Sequence, residues 1–116
     1  MNSHNFEDIL VLWTTAERET VENMIFMYTV NAKLKGWWNG VTLLVWGAAT
    51  KLAAEDESVQ ESLKAFRKKG IRTIACRKCA ENLGAVEKLE SIDVEVFYTG
   101  EFLTEWMKSG KALLSV

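Results

Sequence analysis

Five short apolar runs, each separated from the next by a long helix-forming segment, constrain this chain more than any other feature. Asp8 to Thr14 is almost continuously apolar between polar neighbours, the pattern of a strand buried on both faces. Val41 to Trp46 repeats it, and Ile71 to Ala75 alternates β-branched with small or polar residues after a glycine. Val94 to Tyr98 alternates around Glu95 and reads as a strand nearer an edge; Ala112 to Val116 is the last run. Antiparallel neighbours would permit tight hairpins, whereas every connection here is helical and long. The pattern predicts an α/β fold: a three-layer α/β/α sandwich with a five-stranded, mainly parallel sheet and right-handed crossovers. At 116 residues the chain reads as a single domain, 1-116, without linker, repeat or low-complexity segment.

The helical segments carry their own punctuation. Thr14-Thr15-Ala16-Glu17 has the form of a capping box, predicting a helix from there to about Lys35 with Gly36 as its stop. Val21, Met24, Ile25, Tyr28 and Ala32 form one apolar stripe; Phe26, Met27, Val30 and Leu34 form a second. An apolar arc that wide predicts cover on two sides, by the sheet and by a neighbouring subunit. Trp37-Trp38 in the following turn suits either an interface anchor or a cap on the core. Ser58-Val59-Gln60-Glu61 is a second capping box, and Val59, Leu63 and Phe66 make its helix amphipathic up to Gly70. After Cys76, the spacing of Ala80, Leu83, Val86 and Leu89 predicts one helix to about Ser91. A last helix opens at Thr99-Gly100 with Phe102, Leu103, Trp106 and Met107 on one face.

Several function classes are disfavoured. The net charge is −2 with no basic block, so direct nucleic-acid binding is not expected. No apolar run approaches membrane-spanning length, and Met1 to Asp8 is polar without a cationic-then-apolar leader. A cytoplasmic location, with reduced cysteines, is the expectation. No Gly-x-Gly-x-x-Gly or Lys-bearing phosphate loop is present, and no cofactor is expected. His4 is the only histidine and sits in what reads as a frayed terminus, which disfavours a Cys/His pair. Two cysteines supply half of a zinc site, and no metal is expected. The Glu55-Asp56-Glu57 run reads as a solvated loop, and Glu81 and Asn82 as surface positions.

The chemistry concentrates at Cys76 and Cys79. Cys76 falls where the third strand hands over to a helix; unpaired helix-start N–H groups, with Arg77 and Lys78 alongside, favour thiolate over thiol. Cys79, three residues on, lies on the same helical face. Such a pair can form a disulfide, hold a persulfide with a resolving partner, or supply half a zinc site; a buried structural cysteine is the plain alternative. In parallel sheets reactive groups gather at the carboxyl edge of the strands. Thr14-Thr15, Gly47-Ala48, Cys76 and Thr99-Gly100 occupy that edge, and small neighbours at Ala75, Gly47 and Ala48 would leave room for an added sulfur.

Val45-Trp46-Gly47-Ala48-Ala49-Thr50, the Ala75-Cys76-x-x-Cys79-Ala80-x-x-Leu83-Gly84 segment and Gly100-x-x-Leu103-Thr104 resemble the DsrE/DsrF-like family across most of the chain. Members with assigned activity are sulfur relay proteins, in dissimilatory sulfur oxidation and in tRNA 2-thiouridine synthesis. They carry a persulfide on one cysteine just after a strand, with a glycine eight residues beyond. Cys76 and Gly84 occupy that pattern; Cys79 lies outside it. The resemblance implies a sulfurtransferase-like persulfide carrier that accepts sulfur on Cys76 from a donor protein and passes it to an acceptor protein. It also implies a homotrimer or a hexamer, which suits the wide apolar arc of the first helix and Trp37/Trp38. Two alternatives stand beside it: a non-catalytic oligomeric interaction module, and a thiol–disulfide redox protein using Cys76 and Cys79. The absence of proline weighs against the last, since thioredoxin-like folds set a cis-proline against their cysteine pair.

Overall fold

A computed structural model describes residues 7–116. The strands are β1 (Asp8–Trp13), β2 (Gly40–Val45), β3 (Arg72–Cys76), β4 (Glu95–Phe97) and β5 (Ala112–Ser115), all parallel, in the order β4-β3-β2-β1-β5. The expected fold class is correct. β4 lies at one edge, as the alternation around Glu95 suggested.

The connections cover the two faces unequally. Going from β1 to β4 the chain steps in one direction, so crossovers of one hand put their helices on one face. These are α1 (Arg18–Thr20), a π-helical stretch (Val21–Phe26) and α2 (Met27–Leu34), then α3 (Ala48–Glu55) and α4 (Glu57–Lys68), then α5 (Arg77–Asn82) and α6 (Val86–Ser91). Their buried side chains, among them Ile25, Phe26, Ala53, Leu63, Ala80 and Leu89, pack on the face bearing Val11, Leu43, Val45 and Ala75. From β4 the chain returns across the whole sheet to β5, and the same hand places α7 (Gly100–Lys108) on the other face. There Phe102, Leu103 and Trp106 pack on Leu10, Leu44 and Ile74. One nine-residue helix covers that face, and none of its residues is fully buried.

The first helix explains its own wide apolar arc. The π turn carries more residues per turn than an α-helix, which lets Val21, Ile25 and Phe26 all face the sheet. Thr29, buried, donates its hydroxyl to the Ile25 carbonyl at 2.6 Å, where the π stretch gives way to α-helix. Phe26 meets Trp13 edge-on at 5.1 Å and Phe66 at 5.0 Å, joining β1, the first helix and α4. Met24, Met27 and Leu34 remain exposed, so the sheet covers only part of the predicted arc. The tryptophan pair divides: Trp38 packs on the core and donates to the Tyr28 hydroxyl at 3.0 Å, whereas Trp37 stays 54% exposed.

Three predicted boundaries differ. The first helix is capped by Glu17, whose carboxylate accepts from the Glu19 and Thr20 amides, and the Thr15 hydroxyl accepts from the Glu17 amide before the helix begins. Asp56 rather than Ser58 caps α4, accepting from the Val59 amide at 3.0 Å while pairing with Arg18. Both are carboxylates at a helix start, where the dipole favours them. The segment after Cys76 is two short helices, because Gly84 turns with φ +64° and ends α5; Leu83, expected on the buried stripe, is exposed.

Replacing Phe26 with Ala removes the ring shared by Trp13 and Phe66 and is expected to lower unfolding stability by about 3–5 kcal/mol. A urea titration followed by tryptophan fluorescence measures it.

Candidate functional site

Adjacent strands β3 and β4 send their chains to opposite faces of the sheet, β3 into α5 and β4 into α7. In parallel sheets a divergence of that kind is where a crevice forms at the carboxyl ends of the strands and where ligands and reactive groups gather. Cys76 is the last residue of β3, in register with Phe97 of β4, and Thr99 follows two residues later. Strand alternation puts Cys76 on the side of Ile74, the α7 side, and Ala75 on the opposite one.

Cys76 sits at the N-cap of α5 with extended backbone, φ −67° and ψ 119°. It is a free thiol, 5% exposed; Cys79, also free, is the more accessible of the two. Burial pushes the Cys76 thiol up, yet the groups around its sulfur outweigh it and the pKa is lowered overall. They are, in order, the Cys79 amide, the Thr99 hydroxyl, the Lys78 amide and the Cys79 thiol; the neutral Cys76 side chain makes no capping hydrogen bond to α5. The thiol therefore loses its proton more readily than a free cysteine, as expected of a helix-start position.

Of the two causes the sequence suggested, the helix-start amides act on the thiol and the flanking cations do not. Arg77 turns its guanidinium to Glu81, with Nε 3.1 Å from Oε2, and Lys78 acts on the sulfur through its backbone amide while its side chain is exposed. Backbone and hydroxyl donors, rather than side-chain cations, favour the thiolate. Glu81, read as a mere surface position, also accepts from the Tyr98 hydroxyl at 3.0 Å, tying the exit of β4 to α5. Its carboxyl is held low, first by Tyr98 and then by Arg77, while Tyr98 is raised chiefly by Glu81.

The other predicted site-shaping residues have structural roles of their own. Gly47 adopts φ 62°, ψ −138°, a conformation needed to turn β2 into α3, and is exposed. Ala48 lines a separate groove with Ala16, Lys51, Leu52, Glu55 and Asp56. Ala75 faces the large core, so it makes no room beside Cys76. Gly84 ends α5 with a left-handed turn. The Thr14 corner is occupied by structural bonds: its amide donates to the Val116 carbonyl at 2.7 Å and its carbonyl accepts from the Ala49 amide at 3.1 Å. Among the described residues, no three His, Cys, Asp or Glu side chains come together in a way that could hold a metal ion. His4 lies outside the described residues. No described helix is long and apolar enough to cross a membrane.

The DsrE/DsrF-like family profile matches residues 13–116. The chain belongs to the DsrE/DsrF-like family. Among solved structures it is similar to BT1422 of Bacteroides thetaiotaomicron, a conserved protein of unknown function, with 38% identity, TM-score 0.93 and 95% of each chain covered. It shares its fold with MTH1491 of Methanobacterium thermoautotrophicum, also of unknown function, at 12% identity and TM-score 0.77, covering 94% of this chain and 98% of that one. The same holds for the ychN protein of E. coli, at 13% identity and TM-score 0.71, covering 95% and 98%. No curated protein matches the chain.

Tyr98 offers a direct check on the electrostatics beside the thiol. In a Tyr28→Phe background, leaving Tyr98 as the single tyrosine, Glu81→Gln is expected to lower the phenol pKa towards its ordinary value. Ultraviolet titration of the phenolate reads the shift.

Proposed function

We propose that this protein carries sulfane sulfur as a persulfide on Cys76 and hands it to a partner protein. The observation that carries the reading is a free thiol of lowered pKa at the junction of β3 and α5 in a DsrE/DsrF-like chain. Loading is an ordinary exchange at sulfur. The Cys76 thiolate attacks the outer sulfur of a donor persulfide R–S–SH, a new S–S bond forms, and the old one breaks. The donor departs as R–S⁻ with the bonding pair, and Cys76–S–SH remains with the hydrogen it received. No external oxidant or reductant is needed. Unloading is the same step with an acceptor thiolate attacking. Cys79, closer to solvent and facing the same sulfur, could instead attack the inner sulfur, releasing hydrosulfide and leaving a Cys76–Cys79 disulfide.

Incubation with a cysteine desulfurase and cysteine, or with polysulfide, followed by intact mass spectrometry is expected to show one added sulfur on the wild type. Cys76→Ser should abolish it, and Cys79→Ser should retain it. An added sulfur persisting on Cys76→Ser would sink the reading.

The same reading includes self-association through the first helix. Met24, Met27 and Trp37 are 38%, 52% and 54% exposed and border one shallow groove with Tyr28, an apolar surface suited to a second copy of the chain. Met27→Glu combined with Trp37→Ala is expected to shift the protein to a smaller species in size-exclusion chromatography with light scattering. An unchanged mass would remove this surface from the assembly.

A further inference from the structure

Thr99 is completely buried, and among the described residues its hydroxyl has no hydrogen-bond partner. It occupies the N-cap of α7, where a threonine side chain would ordinarily accept from a helix amide; here it makes no such bond. The hydroxyl has therefore left its local use, and Thr99 stands two residues beyond Phe97, the β4 residue in register with Cys76, which brings it beside the thiol. A buried unpaired hydroxyl is costly to keep. The Thr50 and Thr73 hydroxyls are also buried without partners; of the three, that of Thr99 is the one that bears on the ionisation of the thiol.

We propose that Thr99 is a positioning residue whose hydroxyl is held in reserve for negative charge on the sulfur at Cys76, donating to the thiolate and, once loaded, to the persulfide anion. The proposal rests on the reading of Cys76 as the reactive thiol. A neutral thiol is a weak acceptor and a sulfur anion a strong one. The bond is thus made in the reactive state and left unmade at rest, so it favours the charged form selectively. Two elements supply the donors: α5 through the Lys78 and Cys79 amides, and the start of α7 through Thr99. The titratable and charged groups around the sulfur are Cys79, Arg77, Lys78 and Glu81 from α5 and Tyr98 from the end of β4. Arg77 and Tyr98 are both engaged on Glu81; Arg72 and Glu95 pair with each other earlier on β3 and β4.

The experiment titrates thiolate absorbance in a Cys79→Ser background, with and without Thr99→Val, which keeps the shape and removes the hydroxyl. Thr99→Val is expected to raise the Cys76 midpoint by about one pH unit, lowering the thiolate fraction about tenfold well below it. Thr99→Ser should restore the midpoint. Because no cap is lost and an unpaired buried hydroxyl is replaced by a methyl, the denaturation midpoint of Thr99→Val should match or exceed that of its background. A midpoint unchanged in Thr99→Val overturns the proposal, as does an equal rise in Thr99→Ser. A fall in stability without a change in titration would show that the hydroxyl caps α7. If Thr99→Val fails to fold, Thr99→Ala supplies the same comparison. The titration does not depend on sulfur loading. A wild type that titrates low but never accepts sulfur defeats the carrier reading and leaves Thr99 in place; normal loading with an unmoved titration defeats the Thr99 assignment alone.

Discussion

The site depends on the handedness of the crossovers. A parallel sheet whose first four strands run in one direction must carry their connecting helices on one face, and the jump back to β5 must carry α7 on the other. The chain therefore parts at the carboxyl ends of β3 and β4. Cys76 stands at one lip of that parting and Thr99 at the other. If β5 were added beyond β4 instead, its crossover would run with the rest and the crevice would close. The candidate chemistry is in that sense a consequence of strand order.

The same constraint divides the apolar surface unevenly. The three consecutive crossovers bury a large core, with Trp13, Phe26 and Phe66 meeting edge to face at its centre. The return crossover leaves a thinner layer, in which Phe102 and Trp106 are only half buried and Arg72 lies over the Phe97 and Phe102 rings. Cys76 belongs to the thin side by strand alternation. Its thiol is itself buried, whereas Cys79 beside it on α5 is the more accessible of the two.

Activation at Cys76 is a balance between burial and donors. Desolvation is the largest single effect and disfavours charge; two amides, a hydroxyl and a neighbouring thiol together overcome it. Folding thus lowers the thiol pKa, so ionisation adds stability above the unfolded-state value, and that stability is lost as pH falls through the folded one. Arg77, tied to Glu81, is spent on joining α5 to the exit of β4 through Tyr98. Fixed backbone dipoles suit a thiolate better than a mobile cation, since they need no rearrangement as charge appears.

Much of this was legible in the chain. Periodic apolar runs encode strands and helices because the period belongs to the local backbone, and the length of each connection dictates parallel pairing. Cys76 at a strand–helix junction is a local fact, and so are the glycine stops at Gly36 and Gly70. The caps at Glu17 and Asp56 were misplaced because two polar candidates lay within one turn, and packing chose between them; for Asp56 the Arg18 side chain took part. The break at Gly84 was hidden under a continuous apolar spacing that a left-handed glycine interrupts without altering the pattern. The helix-start amides and the sheet edge shared by Cys76 and Thr99 were legible too; which of the groups at that edge bear on the thiol was decided by the tertiary structure. Thr99 lies far along the chain from Cys76, and only the β3–β4 register brings it beside the thiol; Arg77 lies next to Cys76, and only the placement of Glu81 turns its charge away. Sequence determines where a reactive group can stand, because that follows from local geometry; which groups surround it depends on strand order and register, which no single segment contains.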